Sequence, residues 1–285
     1  MPRWWHDDTG RTWLDRLPGV VAERCARWDL EVDGPVLHGS NALVVPVRRG
    51  EQAAVLRMAP PGDDVAAEAA ALGHWRAGPV VGLFEVDIGA GASLLERLDA
   101  DQSLASEPIL VAIGTLGALT RELAIPAPAW ARTTADIAAE EGQSFVGRWQ
   151  RLGGPTPRNH LDAALAAGAV LAVRDIAAHS SVNGDLHFEQ VLAGGRHPWT
   201  VVDPVLLRGD PEYDLGRVLW SRLDELTRDG DVQQAFSMFV AAADVPAGRA
   251  QAWVLVRSMS YLLWGLERGL TLDPPKCRRL LELFS

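Results

Sequence analysis

The stretch that most constrains this chain runs from Asn183 to Leu215. It reads NGDLHFEQVL, a short gap, WTVVDP, and then GDPEYDL. The apolar run Trp199 to Val202 is short, rich in β-branched residues and closed by Asp-Pro, which predicts a buried strand. Asp185 follows Asn-Gly, a turn signal, and precedes the apolar pair Val191 and Leu192. Asp203 ends the predicted strand and Asp214 lies just beyond it. Acids are thus delivered beside strand ends, where loops hold polar groups against a ligand.

The rest of the chain supplies a frame for that stretch. Apolar residues at Trp13, Leu17, Val20, Val21, Cys25 and Trp28 have helical spacing and predict a helix from Thr12 to Leu30, which Pro18 should start or break. Val36 to Val47 and Ala53 to Met58 predict two strands joined as a hairpin by Arg-Arg-Gly-Glu. Asp63 and Asp64 cap a predicted helix that ends at Trp75. Val80 to Ile88 and Ser93 to Leu98 predict two further strands. Beyond Pro108 the pattern is mainly helical, over Ile109–Leu123, Ile137–Leu152 and His160–Ala178. After the acidic stretch, four more helices are predicted over Glu212–Leu226, Val232–Ala243, Arg249–Glu267 and Pro275–Phe284. The expected organisation is α+β, with a small sheet lobe over residues 1–98 and a larger helical lobe over 99–285.

Composition narrows the function classes. With 48% hydrophobic residues among 285, the chain has ample material for a globular core. A formal charge of −10 argues against nucleic-acid binding, which needs basic patches to neutralise phosphates. The acidic balance suits a cationic ligand, but solubility alone accounts for it more readily. Cys25 and Cys277 form neither a disulfide framework nor a metal-ligand pair. No apolar run approaches the ~20 residues that span a bilayer, and MPRWWHDDTG has no secretory h-region, so a cytoplasmic protein is expected. Phosphate-loop, dinucleotide, zinc-protease and serine-hydrolase motifs are all absent.

The Asn183–Leu215 core resembles that of the aminoglycoside phosphotransferases, in the streptomycin 6-kinase and hydroxyurea kinase branch. The resemblance continues through AAVLRMAPP, LLERLD and the C-terminal VLVRSMSYLLWGLERGL. It implies a two-lobed protein-kinase-like fold, with ATP or GTP and Mg2+ as cofactors. Phosphoryl transfer depends mostly on positioning and charge stabilisation. By resemblance, Asp185 is the catalytic base, while Gln190, five positions on, and Asp203 bind the metal. Gln190 stands where the family usually has Asn, and Asn183 where it usually has His. Asp214 is expected to support the loop, and Asp210 to cap a helix ahead of Pro211.

In the first lobe, Arg57 takes the place of the phosphate-binding lysine, and Glu68 that of the acid paired with it. Lys276 is the chain's sole lysine, so no lysine is available for that role. Arg is forked and always charged, which makes the exchange non-conservative. Ser40 and Asn41 follow Gly39 inside a predicted strand and either approach a phosphate or form a bulge. Glu96 and Leu98 correspond to the segment that pairs with adenine. In the second lobe, Arg257, Tyr261, Trp264 and Glu267 share helical spacing and, with Glu212, are candidates for acceptor binding. The aromatic pair would serve a core equally well, and the two acids would serve as solvated residues.

The expected protein is an enzyme that phosphorylates a hydroxyl of a small cationic or polyhydroxylated acceptor, foremost an aminoglycoside such as streptomycin. It is expected to act as a monomer or weak dimer, without nucleic-acid or membrane partners. Two alternatives stand beside this one. The first is a sugar or amino-alcohol kinase, and the second a nucleotide- or drug-binding pseudokinase that has lost transfer.

Overall fold

The computed structural model describes residues 8–39, 42–173 and 180–285. In chain order the first elements are α1 (Asp8–Trp28), β1 (Glu31–Val32), β2 (Leu37–His38), β3 (Leu43–Arg49), β4 (Gln52–Met58), α2 (Val65–His74), β5 (Leu83–Asp87), β6 (Ala92–Glu96) and β7 (Asp99–Ser103). Then come α3 (Ile109–Leu123), α4 (Thr134–Arg151), α5 (Arg158–Leu171), β8 (Ser180–Asn183), β9 (Val191–Ala193), β10 (Trp199–Val201) and β11 (Leu206–Gly209). Last are α6 (Leu215–Ser221), α7 (Asp229–Ala243), α8 (Ala247–Glu267) and α9 (Asp273–Phe284). Two compact units divide the chain, one of Met1–Asp101 with Leu192–Asp203 and one of Gln102–Val191 with Pro204–Ser285.

The first unit is built on an antiparallel sheet ordered β1–β3–β4–β6–β5, with β2 pairing on β3. The hairpin between β3 and β4 turns at Gly50, whose φ of +57° suits a residue without Cβ. Val45, Val47, Ala54, Leu56, Met58, Ala92 and Leu94 form its buried face, and Leu17 of α1 packs into the same cluster. Pro18 neither starts nor breaks α1, which runs through it. The ring lies exposed, and apolar packing of Trp13, Leu14, Val21 and Trp28 holds the helix against the sheet. Asp64 caps α2 as expected, its Oδ1 accepting the Ala67 N–H at 2.9 Å.

A second sheet, ordered β10–β9–β7, uses the segment that returns to the first unit. β7 is an element the apolar pattern missed, because DADQS is polar apart from Ala100 and mostly exposed. Val81 N–H donates to Val201 O at 2.9 Å, and Val201 N–H to Pro79 O at 2.8 Å. Those bonds fix the strand that carries Asp203.

The second unit is helical, with α8 near its centre. Trp253, Val254, Val256, Met259, Leu262 and Leu263 of α8 are buried together. At Gly117 α3 meets α7 so closely that an added Cβ would lie 2.8 Å from both Ala242 Cβ and Phe239 O. Within this unit β8 and β11 pair antiparallel, Asn183 opposite Leu206. They close the neck of the loop that carries Asp185.

Three expectations differ here. The helix predicted over Glu212–Leu226 is split into 3-10 turns at Pro211–Asp214 and Leu223–Glu225 that flank α6. Asp210 stands at the cap position without making a side-chain cap. Its carboxylate instead accepts from Arg249 Nε at 3.2 Å and Nη2 at 2.6 Å, and from Trp253 Nε1 at 2.8 Å. Two bonds from a guanidinium and one from an indole outweigh the single backbone N–H that a cap would offer. α5 ends at Leu171, and the remainder of the helix predicted to Ala178 falls largely outside the described residues. Among the described residues no helix is long and apolar enough to cross a membrane.

Candidate active site

In the second unit the Asp185 loop is fixed from both ends. Asn183 Oδ1 accepts the N–H of Asp185 at 3.3 Å and that of Val205 at 3.0 Å, tying the outgoing and returning chain together. Asn183 thus supports the loop by accepting from its backbone. Gly184 lies against Leu207, whose Cδ1 would sit 2.6 Å from a Cβ placed there, so a larger residue would spread the neck. One residue past the acid, Leu186 N–H donates to Asp214 Oδ2 at 3.0 Å. Asp214 is 3% exposed, and burial pushes its carboxyl up to about 7 against the pull of Arg257.

Both oxygens of Asp185 have partners. Gln190 Nε2 donates to Oδ2 at 2.9 Å, and Arg217 Nη1 donates to Oδ1. Burial raises the Asp185 carboxyl above its ordinary value, while Arg217 and Arg257 oppose the shift. His187 is held neutral, its pKa lowered to about 3 by burial and then by Arg217, which removes it as an acid or base near neutral pH. Phe188 is buried beneath the Arg222 guanidinium, 5.0 Å from its ring centre.

With its amide nitrogen on Asp185, Gln190 turns its carbonyl oxygen the other way. That oxygen is buried and, among the described residues, accepts no hydrogen bond. A hard divalent cation prefers such oxygen donors. The extra methylene relative to Asn therefore leaves both the contact to Asp185 and an unbonded side-chain oxygen in place.

In the first unit Arg57 lies on β4 between two acids. Its Nη1 is 2.9 Å from Glu68 Oε2 on α2, and its Nη2 is 2.8 Å from Asp203 Oδ1. Arg57 is 8% exposed. Burial raises Glu68 to about 7 against the attraction of Arg57, with the Asp203 charge adding to the rise. Asp203 has φ +50°, a left-handed conformation that costs a non-glycine residue on the order of 1 kcal/mol or more. The guanidinium holds the carboxylate in that conformation. Glu96 is engaged within the sheet, its N–H donating to Gly82 O at 2.8 Å and its Oε2 accepting from Gly82 N–H at 3.0 Å. Leu98 follows the end of β6, with its Cα 3.9 Å from a Cβ placed at Gly194. Ser40 and Asn41 lie outside the described residues.

The candidates for acceptor binding fall into two groups. Tyr261 stacks between Trp220 and Trp264, with ring centres 4.7 and 5.2 Å away, and its hydroxyl donates to Asp273 Oδ2 at 3.2 Å. Trp264 remains 39% exposed. The other three serve the fold. Arg257 donates to Tyr213 Oη at 2.7 Å and covers its ring. Glu267 accepts from Arg148 at 3.0 and 3.2 Å, so an arginine of the chain itself occupies its carboxylate. Glu212, expected as either an acceptor ligand or a solvated acid, is 1% exposed, and burial lifts its pKa to about 7. It sits in the 3-10 turn with Asp214, facing inward, and the solvated reading is withdrawn. Arg217 was not among the expected site residues. Its only signal in the sequence was its place two residues beyond the DL that ends the GDPEYDL segment.

A loop acid bonded to an amide five positions on, and a strand cation paired with a helix acid, define a phosphotransferase of the protein-kinase-like class. Solved structures share the fold. A thermostable mutant of aminoglycoside phosphotransferase APH(4)-Ia, in ternary complex with ADP and hygromycin B, superposes with a TM-score of 0.66 at 16% identity, covering 92% of this chain and 97% of that one. The choline kinase LicA from Streptococcus pneumoniae gives 0.64 at 14% identity, covering 94% and 99%. The expected α+β, protein-kinase-like fold is the fold observed.

The sequence profile described as aminoglycoside/hydroxyurea antibiotic resistance kinase matches residues 27–269. The chain belongs to that family. It is 34% identical over 278 residues to streptomycin 6-kinase of Streptomyces griseus, covering 94% of this chain and 89% of the relative. It is 35% identical over 268 residues to hydroxyurea phosphotransferase of Kitasatospora aureofaciens, covering 91% and 76%.

Proposed function

We propose that this protein transfers the γ-phosphoryl group of ATP or GTP to a hydroxyl of an aminoglycoside such as streptomycin, and so confers resistance to it. The observation that carries the reading is the Asp185–Gln190 contact at 2.9 Å, which aims an acid and an amide oxygen from one short loop. The acceptor class follows from the streptomycin kinases among its relatives.

In this reading Asp185 orients the acceptor hydroxyl and takes its proton as the oxygen attacks phosphorus in line. Gln190 Oε1 and the Asp203 carboxylate would supply oxygen donors to Mg2+, which would neutralise charge on the phosphate oxygens. Arg57 contributes its forked cation to the phosphates, and Glu68 keeps that fork in place. Ser40 and Asn41, with the backbone around Glu96 and Leu98, contact the nucleotide. Trp264, backed by Tyr261, offers an aromatic surface to a cationic acceptor. The protein works in the cytoplasm as a monomer or weak dimer, without nucleic-acid or membrane partners. Phosphate on the drug adds negative charge where its RNA target recognises a cation.

The departures at Arg57, Asn183 and Gln190 each have a working partner, which favours an active enzyme over a pseudokinase. The test is ADP release with a panel of aminoglycosides, aminocyclitols, sugars and amino alcohols, with the phosphorylated product identified by mass spectrometry. Turnover on streptomycin or a close relative supports the proposal. Turnover confined to metabolites, or nucleotide binding without transfer to any acceptor, would replace it with one of the other two readings.

A further inference from the structure

Arg217 is bonded to the carboxylate that the kinase reading makes the base. In a base that takes a hydroxyl proton, one carboxylate oxygen must be open to that hydroxyl. On Asp185 the Oδ2 side is taken by Gln190 and the Oδ1 side by Arg217. We propose that Arg217 is a positioning residue that restrains Asp185 until a cationic acceptor displaces it, and so keeps the enzyme from spending nucleotide on water. The inference rests on the kinase reading given above.

Three features separate this ion pair from the structural ones nearby. Asp210 is 6% exposed and bonded by three donors from Arg249 and Trp253, and Asp214 is buried against Leu186 and Arg257. The Arg217 and Asp185 side chains are 29% and 28% exposed, and they meet through a single guanidinium nitrogen. A partly exposed, single-point pair contributes little net stability, so a ligand can replace it at small cost. The backbone beneath it, by contrast, is firmly seated. Arg217 O accepts from Ser221 Oγ at 2.7 Å, and a Cβ at the adjacent Gly216 would lie 2.8 Å from Arg257 Cβ, so α6 is packed hard against α8. A swinging side chain on a fixed helix is the geometry a gate requires.

The gate works by charge. In the reaction it suppresses, a water oxygen bonds to the γ-phosphorus, and the bond from that phosphorus to the β–γ bridging oxygen breaks. ADP leaves, and the water's proton passes to Asp185. Neutral water competes poorly with a guanidinium for a carboxylate, whereas a guanidinium or ammonium that the acceptor brings beside Arg217 repels it by like charge and draws it off Asp185, leaving Oδ1 open to the neighbouring hydroxyl. Release of Asp185 is thereby coupled to the presence of a cation beside the hydroxyl to be phosphorylated.

The experiment compares the full-length wild type with Arg217→Met, Arg217→Ala and Arg217→Lys, each checked for a wild-type melting transition. ADP release is measured with Mg2+ and ATP alone, then with streptomycin, and phosphorylated product is counted per ADP. Arg217→Met is expected to raise acceptor-free hydrolysis by about tenfold or more, within the range a freed general base can supply, and to lower product per ADP. Added guanidinium chloride should suppress the leak of Arg217→Ala, and Arg217→Lys should leak less than Arg217→Met. A second substitution, Asp185→Asn, should abolish the leak. Hydrolysis at or below the wild-type level in both Arg217→Met and Arg217→Ala overturns the gate, whether or not transfer survives. The acceptor-free arm needs no substrate assignment. If the wild type phosphorylates no acceptor, the kinase reading fails, while hydrolysis by the variants still decides the role of Arg217.

Discussion

Single side chains carry the chemistry, and two of them give sharp expectations. Asp185→Asn keeps the shape and loses the base, so turnover should fall about 10²–10⁴-fold. Nucleotide affinity, read by calorimetry, should stay within a few-fold, because the reading puts this residue on the acceptor and not on the nucleotide. Arg57 contacts Glu68 and Asp203 through different nitrogens. Arg57→Lys replaces that fork with a point charge that cannot span both acids. The expected result is a several-fold higher KM for ATP with slower turnover, and faster turnover would show that the arginine is a handicap. Asp185, Gln190, Asp203, Arg57 and Glu68 were singled out by their types and spacings, and contacts join Asp185 to Gln190 and Arg57 to both Glu68 and Asp203. Arg217 was not singled out, because an arginine one turn into a helix looks like any solvated charge until coordinates show which acid it meets. Glu267 shows the converse: its helical spacing is visible in the sequence, but its pairing with Arg148, more than a hundred residues away, is not.

At the scale of elements, the tight α3–α7 crossing makes a measurable demand. Gly117→Ala places a methyl group against Ala242 and the Phe239 carbonyl. Backbone must shift to admit it, at a cost of about 1–3 kcal/mol. Thermal unfolding should begin a few degrees lower, with the active-site residues chemically untouched; an unchanged midpoint would mean the helices separate freely. Helix α3 was legible to the residue, since its apolar period is unbroken from Ile109 to Leu123. Elements whose existence depends on partners were harder to read. β7 is polar and becomes a strand because β9 pairs with it. The proline in α1 signals a break, and the helix persists because its apolar face is held by the sheet. The split of the segment after Asp210 follows from where Asp210 and Asp214 send their carboxylates, which local sequence does not encode.

Across the whole molecule, buried acids set the response to pH. Glu212 has its folded-state pKa raised from 4.5 to about 7, so the folded chain binds more protons than the unfolded one in that window. Stability therefore falls as pH rises from about 4.5 to 7, and stays lower above it. Asp214 adds to the same trend. Glu212→Gln should stabilise the protein at pH 8 by up to about 3 kcal/mol, and the gain should vanish near pH 4. Denaturant titrations at the two pH values check it, and equal effects at both would mean that Glu212 is not buried as a neutral acid.

The assignment of Leu192–Asp203 to the first unit has a bearing on descent. Neither half of this enzyme is an unbroken length of gene, because the strand that carries Asp203 is encoded inside the region for the other half. A recombination that exchanged only the codons for residues 1–101 with those of a relative would pair a foreign Arg57 with a native Asp203. Hybrids between such kinases should therefore tolerate double crossovers that carry 192–203 along, and lose nucleotide binding more often when that short insert is left behind.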